Sequence, residues 1–362
     1  MANIKFKIAL IGDSLGNSGV EKVHALLSMY FQNAGLEVHN IILWNWIEYE
    51  YAGSLQVIHT RSDMKKVIKE NKFDCIVDFR IRLDFLQEFL ISRMMYPKNV
   101  CYTIHSGFLD FYFPKSAFLS KLIYKKRNII TVSEGIKDAI LAKKISNNVY
   151  CINNPVDLDS IAILKHNFIQ EKDTNFILAV GRLDEIKQFD KLILAYSDSI
   201  LPQKDIKLIF IGVGPCEAKY KALCLKLGME FKIEFKGFVT NPFPYFKNAL
   251  FTVLCSKNEG FPNVLIESLA CSTPVISYDC FTGPSEIIID KYNGLLIENQ
   301  NFEELICAMN LFVTDENLYS KCKQNALKSV EKFSLENIGK NWLDYLGLKN
   351  FIIQPTSKLK QR

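Results

Sequence analysis

The chain has 362 residues, 49% of them hydrophobic and 23% charged, with a formal net charge of +5. That length suits two domains of about 150–180 residues, and the composition excludes disordered, collagen-like and disulfide-scaffold classes. No apolar run approaches the roughly 18 residues of a membrane-spanning helix. The opening Met1-Ala-Asn-Ile-Lys-Phe-Lys7 leads straight into a strand pattern, so no signal peptide is predicted.

Lys7-Ile-Ala-Leu-Ile-Gly12 reads as a buried strand that ends in a glycine-rich turn. Glu21 to Gly35 reads as a helix, with Val23, Leu26, Leu27 and Tyr30 on one stripe and Gly35 as its stop. Glu37–Leu43, Cys75–Phe79, Val100–Ile104 and Ile129–Val132 continue the strand series. Cys151-Ile-Asn-Asn-Pro-Val-Asp157 is turn-rich and stands where a domain junction is expected. The rhythm then restarts with Phe176–Gly181 and with Ile206–Ile211, the latter followed by Gly212-Val-Gly214. Ile233–Phe235, Phe251–Leu254 and Pro274–Ser277 are further short strands, and Ser334 to Leu348 reads as a final helix.

This alternation implies parallel sheets covered by helices on both faces. The expected architecture is α/β, two doubly wound domains facing a cleft. They span residues 1–155 and 156–333, with helix 334–350 packing back on the first domain and a tail over 351–362. Ligands of such sheets bind at the carboxyl ends of strands, so the useful residues belong in the strand-to-helix loops.

The ten cysteines form no CxxC and no zinc-spaced cluster with histidine. They read as reduced thiols in a cytosolic protein. Charge is uneven: residues 1–150 hold 20 Lys and Arg against 14 Asp and Glu, while the remainder holds 24 against 25. In Phe111–Arg127 basic residues interleave with aromatics, which fits either docking on anionic lipid headgroups or a solvated helix face. Nucleic acid is the partner least favoured, because the positive charge is modest and confined to one half.

Four segments carry chemistry. Glu259-Gly-Phe-Pro-Asn-Val-Leu-Ile-Glu267 places two glutamates around a Gly/Pro turn that opens an apolar helix. Amides at a helix start attract anions and a carboxylate there can hold sugar hydroxyls, although acids also decorate helix starts without a ligand. Gly181-Arg-Leu-Asp-Glu-Ile-Lys187 follows a strand, so Arg182 and Lys187 either converge on a diphosphate or are surface charges. Gly12-Asp-Ser-Leu-Gly16-Asn-Ser-Gly19 is a candidate phosphate or sugar cradle but lacks the dinucleotide fingerprint. His105 stands where Val100–Ile104 meets a glycine turn, a cleft position in this fold, whereas His24, His39, His59 and His166 read as packing or surface residues.

In this order, the Gly-rich loop, the strand-end histidine, GRL…K, EGFPNVLIE and TPVIS resemble the retaining glycosyltransferases of the GT-B fold, family 4. The likeness runs from about Lys7 to Gly294. Asp279–Ile288 with Asn293-Gly294 looks like the members that build bacterial surface polysaccharides, including lipopolysaccharide. The first loop, Asn17-Ser-Gly-Val-Glu-Lys22, departs from the double glycine and Ala-Glu-Arg of many members.

The resemblance implies two Rossmann-like domains, an acceptor domain followed by a nucleotide-sugar domain. It gives Arg182 and Lys187 to the donor diphosphate, Glu267 to the ribose, and Glu259 to the donor-sugar hydroxyls. Gly260, Phe261, Asn263 and Val264 would support sugar or phosphates, with Pro262 only shaping the loop. His105 would contact the sugar or the transferring centre, and Gly16 and Gly19 would let backbone approach the donor. Asp184 and Glu185 read as helix-start acids. No cofactor and no essential metal are expected, because Arg and Lys handle the phosphates.

The activity implied is transfer of a hexose or N-acetylhexosamine from a nucleotide sugar, UDP-linked by preference, to a lipid-linked or lipopolysaccharide glycan. The site would be cytoplasmic, with peripheral contact to an anionic inner membrane as a candidate feature. A UDP-sugar 2-epimerase and a non-catalytic sugar-nucleotide or glycan binder are the alternatives. Trp44–Tyr51 and Arg80-Ile-Arg82 are candidate acceptor-reading segments.

Overall fold

The computed structural model describes residues 6–16, 18–169 and 175–349. The chain divides into two compact units, one of residues 1–155 with 335–362 and one of Val156–Ser334. The tail 351–362 lies outside the described residues.

The first unit contains β1 (Lys7–Gly12), β2 (Glu37–Ile42), β3 (Ser54–Val57), β4 (Cys75–Asp78), β5 (Val100–Ile104), β6 (Asn128–Thr131) and β7 (Asn148–Cys151), ordered β3-β2-β1-β4-β5-β6-β7. The second contains β8 (Phe176–Val180), β9 (Lys207–Ile211), β10 (Ile233–Phe235), β11 (Thr252–Leu254), β12 (Val275–Tyr278) and β13 (Gly294–Ile297), ordered β10-β9-β8-β11-β12-β13. The pairings are parallel in both sheets. Central strands such as β5 are buried along their whole length, as helices on both faces require. The direction of winding reverses between β1 and β4 in one sheet and between β8 and β11 in the other, the two places where such sheets open a crevice.

The strands β3, β7 and β13 were not legible as strands, and all three are sheet edges. Ser54-Leu-Gln-Val and Asn148-Val-Tyr-Cys expose alternate residues, so they lack the continuous apolar signal of the centre. The first helix, Gly19–Asn33, starts two residues before the sequence reading. Ser18 is its cap and Glu21 closes a capping box, with Ser18 and Glu21 exchanging side-chain-to-backbone bonds.

Helix Leu335–Tyr345 belongs to the first unit, where it lies on helix Gly19–Asn33. A methyl group at Gly339 would come within 2.3 Å of the Tyr30 ring, so glycine permits that close approach. Trp342 meets Phe31 edge-on at 6.2 Å. Among the described residues no helix is long and apolar enough to cross a membrane.

His24 is a core residue. Its ring stacks on Phe79 at 5.0 Å, and Nε2 lies 3.1 Å from Asn40 Oδ1. Burial lowers its pKa to about 4. A histidine in the unfolded chain titrates near 6.5. Below that pH the unfolded state takes up a proton that the native state refuses, so this stability is complete above pH 6.5 and is lost as the pH falls toward 4. At pH 5 the loss is roughly 2 kcal/mol. Thermal unfolding at pH 7.5 and pH 5 should show a smaller acid-induced drop in Tm for His24→Gln than for the wild type. Equal drops would remove His24 as the cause.

Candidate functional site

In the second unit, the loops after β8, β9, β11 and β12 interlock at the carboxyl ends of the strands. Gly181 N–H donates to Ile211 and Leu183 N–H to Val213, at 2.9 and 3.0 Å, and Cys216 N–H returns to Leu183 at 2.9 Å. A methyl group at Gly212 would fall 2.0 Å from the Gly181 carbonyl, and one at Gly214 would fall 2.4 Å from that of Leu183. Glycine is needed at both positions because backbone passes over backbone there. Gly212-Val-Gly214 therefore supports the Arg182–Lys187 loop.

That loop is organised by Asp184. Its Oδ1 accepts from the backbone N–H of Ile186 and Lys187, at 3.0 and 3.1 Å, and its Oδ2 accepts from Arg182 Nε at 2.6 Å. The next helix begins only at Phe189, so Asp184 and Glu185 are not helix-start acids. Asp184 folds the turn, and Glu185 pairs with Lys219 at 3.0 Å on the surface. Arg182 is largely exposed and is gripped through Nε, which leaves its terminal nitrogens facing outward without a partner among the described residues.

Lys187 Nζ meets Glu259 Oε1 at 2.6 Å, with both side chains largely buried. The two loops are also joined through backbone, since Lys257 N–H donates to Ile186 at 2.8 Å and Cys255 Sγ lies 3.2 Å from the Lys187 carbonyl. Glu259 and Gly260 precede helix Asn263–Ala270, which holds Asn263 and Val264 in its first turn and Glu267 one turn in. Phe261 is buried and stands edge-on to Phe333 at 5.1 Å. Gly283 supports this loop from the β12 side. It has φ +98°, and a methyl group there would strike Pro262 Cδ at 2.7 Å and the Gly260 carbonyl at 2.9 Å. Beside it the Cys280 thiol is pushed up to about 12, first by burial and then by Glu259, and so stays protonated.

In the first unit, His105 directly follows β5, beside Phe79 with ring centroids 5.7 Å apart. Burial, and after it the charge of Arg82, lowers its pKa to about 3, against an opposing bond from Asn154. The imidazole is neutral at any working pH, so it can exchange hydrogen bonds but cannot supply positive charge. Gly16 lies against Trp46, whose ring would be 2.8 Å from a methyl group there, and Gly19 is the first residue of its helix. Leu15 ties the same loop to Trp44–Tyr51, its N–H donating to Trp46 at 3.0 Å and its carbonyl accepting from Glu48 at 2.8 Å. Trp44 and Trp46 are exposed. Burial raises the Asp13 carboxyl above its usual range, offset in part by the Ile81 amide and Arg80.

Arg80 and Arg82 are buried and do not read an acceptor. Arg80 binds Asp78 through Nε at 3.0 Å and through a terminal nitrogen at 2.8 Å. Burial alone would raise the Asp78 carboxyl, but Arg80 and Arg82 outweigh it and hold it below the ordinary range. Arg82 lies between the Tyr102 and Tyr112 rings, 5.1 Å from each, and donates to the carbonyls of Arg80 and Thr103 at 2.9 and 3.1 Å. Its own N–H holds Phe111 at 2.9 Å, which fixes the loop after His105. Charged residues in a sequence read as exposed, and the tyrosines that enclose Arg82 come from distant positions in the chain.

The structure thus brings Lys187, Glu259, Gly260 and the start of helix Asn263–Ala270 together in one unit, with Arg182 in the same organised loop. His105, Gly16 and Gly19 stand at the strand ends of the other. Among the described residues no group of three or more His, Cys, Asp or Glu side chains is placed to hold a metal ion. Gly212→Ala should cost at least about 2 kcal/mol, since the clash is with backbone that cannot repack. Chemical denaturation would show it, and wild-type stability in that variant would contradict the interlocked-loop description.

Residues 162–329 match the family described as glycosyl transferases group 1. Over 94% of this chain and 99% of the relative, the sequence is 29% identical to the N-acetylgalactosamine-N,N'-diacetylbacillosaminyl-diphospho-undecaprenol 4-alpha-N-acetylgalactosaminyltransferase of Campylobacter jejuni. It is 23% identical, over 94% of the chain and 99% of the relative, to the amylovoran biosynthesis glycosyltransferase AmsD of Erwinia amylovora. The Anabaena HepE structure with UDP and glucose shares the fold at TM-score 0.76 and 17% identity, covering 94% of this chain and 99% of that one. The lipopolysaccharide outer core galactosyltransferase WaaB shares it at TM-score 0.68 and 21% identity, covering 95% and 99%. The chain is a glycosyltransferase of GT-B architecture, whose second unit matches the glycosyl transferases group 1 model over residues 162–329.

Proposed function

We propose that the protein is a retaining N-acetylhexosaminyltransferase that takes its sugar from a UDP-linked donor and extends a glycan carried on a lipid diphosphate at the cytoplasmic face of a membrane. The observation that carries this reading is the 2.6 Å contact of Lys187 with Glu259 across two strand-end loops. Lysine has three donors, so Nζ can hold Glu259 and still offer hydrogens to a phosphate oxygen. The same cation lessens the repulsion that Glu259 would exert on an incoming diphosphate. Arg182, steadied by Asp184, presents its outward fork to the other phosphate, and the two cations take up the charge that develops as the leaving group departs. No metal is required in this scheme.

Glu259 accepts hydrogen bonds from the donor-sugar hydroxyls, and Glu267, one turn into its helix, binds the ribose diol. Gly260, Phe261, Asn263 and Val264 shape and line the approach to the helix start, which favours negative charge. His105, neutral throughout the working range, contacts the sugar by hydrogen bonding. No carboxylate is assigned beneath the sugar as a nucleophile of the kind retaining hydrolases use. The reading is a front-face substitution in which the leaving phosphate takes the acceptor proton. The choice of an N-acetylated donor and a lipid-diphosphate acceptor is supported by the Campylobacter jejuni relative that matches over nearly its full length.

Released UDP should be measured across a panel of UDP-sugars in the presence of EDTA. Turnover of a UDP-N-acetylhexosamine should persist, and Lys187→Ala and Glu259→Gln should each lower it by about a hundredfold, as removal of a transition-state contact does. The anomeric proton coupling of the product should show retention. An inverted product, dependence on added metal, or variants as active as wild type would each overturn the corresponding part of the scheme.

A further inference from the structure

Exposed large hydrophobic residues cluster on one part of the first unit. Leu83, Leu86, Met94 and Phe118 are between 64% and 75% exposed, and Leu90 and Leu122 are exposed as well. Leu86 and Leu90 lie four apart on helix Phe85–Leu90, and Met94 continues the stripe through the wider turn Ile91–Met95. Phe118 and Leu122 lie four apart on helix Ala117–Tyr124, whose other face buries Ser120, Ile123 and Tyr124.

Arginine side chains tie the two segments together. An Arg93 terminal nitrogen donates to the Leu122 carbonyl at 2.6 Å. Arg127 donates to the carbonyls of Pro97, at 2.8 Å, and Ser92. This corrects the sequence reading of Phe111–Arg127 in one respect, since Arg127 is a clamp and not part of an outward basic face. The stretch 111–127 supplies one helix of a two-helix surface.

Charge around this surface is mostly positive. Between residues 83 and 127 there are seven Lys and Arg against three Asp and Glu. Of these acids Glu88 is buried against Arg80, whereas Asp84, the cap of helix Phe85–Leu90, and Asp110 are exposed. Lys98, Lys115, Lys125 and Lys126 are exposed and lie near the two helices in the chain. Exposed apolar side chains on segments with an excess of exposed lysines match a bilayer with anionic headgroups, which takes up the apolar groups and attracts the lysines.

We infer that the paired helices Phe85–Met95 and Ala117–Tyr124 form a docking surface for an anionic lipid bilayer, with Leu86, Leu90, Met94, Phe118 and Leu122 entering the headgroup boundary and the flanking lysines holding anionic lipid. This deepens the proposed function, since it rests on the reading that the acceptor is lipid-borne. It assigns the first unit as the part that meets the membrane.

The test uses the full chain and vesicles without acceptor, either phosphatidylcholine alone or phosphatidylcholine mixed with phosphatidylglycerol. Wild type should co-sediment with the mixed vesicles and much less with the zwitterionic ones. Leu86→Glu with Met94→Glu, and separately Lys125→Glu with Lys126→Glu, should each weaken partitioning about tenfold or more. UDP release from the donor in vesicle-free solution, and the circular dichroism spectrum, should stay as in wild type. Wild type remaining in the supernatant with both vesicle types, or variants partitioning like wild type, overturns the surface. So does a dimer that Leu86→Glu dissociates and that ignores vesicles, because the patch then belongs to a second copy. Lost vesicle binding with intact turnover refutes the surface alone, whereas binding without turnover of any donor refutes the donor reading and leaves the surface standing.

Discussion

Lys187 and Glu259 are 72 residues apart in the chain and meet at 2.6 Å, and much of the second unit is arranged so that they can. A lysine on a flexible stem is costly to hold in one place. Here its backbone is fixed by Asp184, and Gly181 leaves room for its stem, since a methyl group there would be 3.3 Å from Lys187 Cε. The partner loop is held by Gly283 and by the buried ring of Phe261. Each of these fixings involves glycine, a buried aromatic or a backbone bond, so the loops around the site behave as packed interior.

The first unit reaches similar rigidity by other means. Asp78, Arg80, Arg82, Glu88 and Tyr96 form a buried polar cluster at the carboxyl ends of β4 and β5. Taking such charges out of water is expensive, and their mutual pairing offsets the expense only while every partner remains. A cluster of this kind gives little net stability and strong geometric definition. Through Arg82 it sets the segment that follows His105, and through the Asp78–Arg80 turn it places the Ile81 amide on Asp13 at 3.3 Å. The loops of β1, β4 and β5 are thereby held in a single arrangement around that sheet's switch point.

Central strands were legible because they are continuous apolar runs closed by glycine. The strand-end positions of His105, Lys187 and Glu259 followed from the same punctuation. The edge strands β3 and β7 were not legible, because alternate residues face solvent and the apolar run is broken, as in Ser54-Leu-Gln-Val. Asp184 was misjudged because an acid that bonds amides two and three residues ahead looks in sequence like an acid at a helix start. Arg80 and Arg82 were misjudged because burial of a cation depends on partners from other strands, and Arg127 because its acceptors are backbone carbonyls that carry no sequence signature.

The contact between Gly339 and Tyr30 has a consequence for the order in which the protein is made. The second unit is one uninterrupted stretch, Val156–Ser334, and can close its sheet once that stretch has left the ribosome. The first unit is synthesised earlier but lacks helix Leu335–Tyr345 until after the second is complete, so Tyr30 and Phe31 lack their cover through most of translation. The unit that emerges first is therefore the last to be finished. A released chain ending at Ser334 should carry a folded second unit joined to a first unit whose surface at helix Gly19–Asn33 is still open to chaperones.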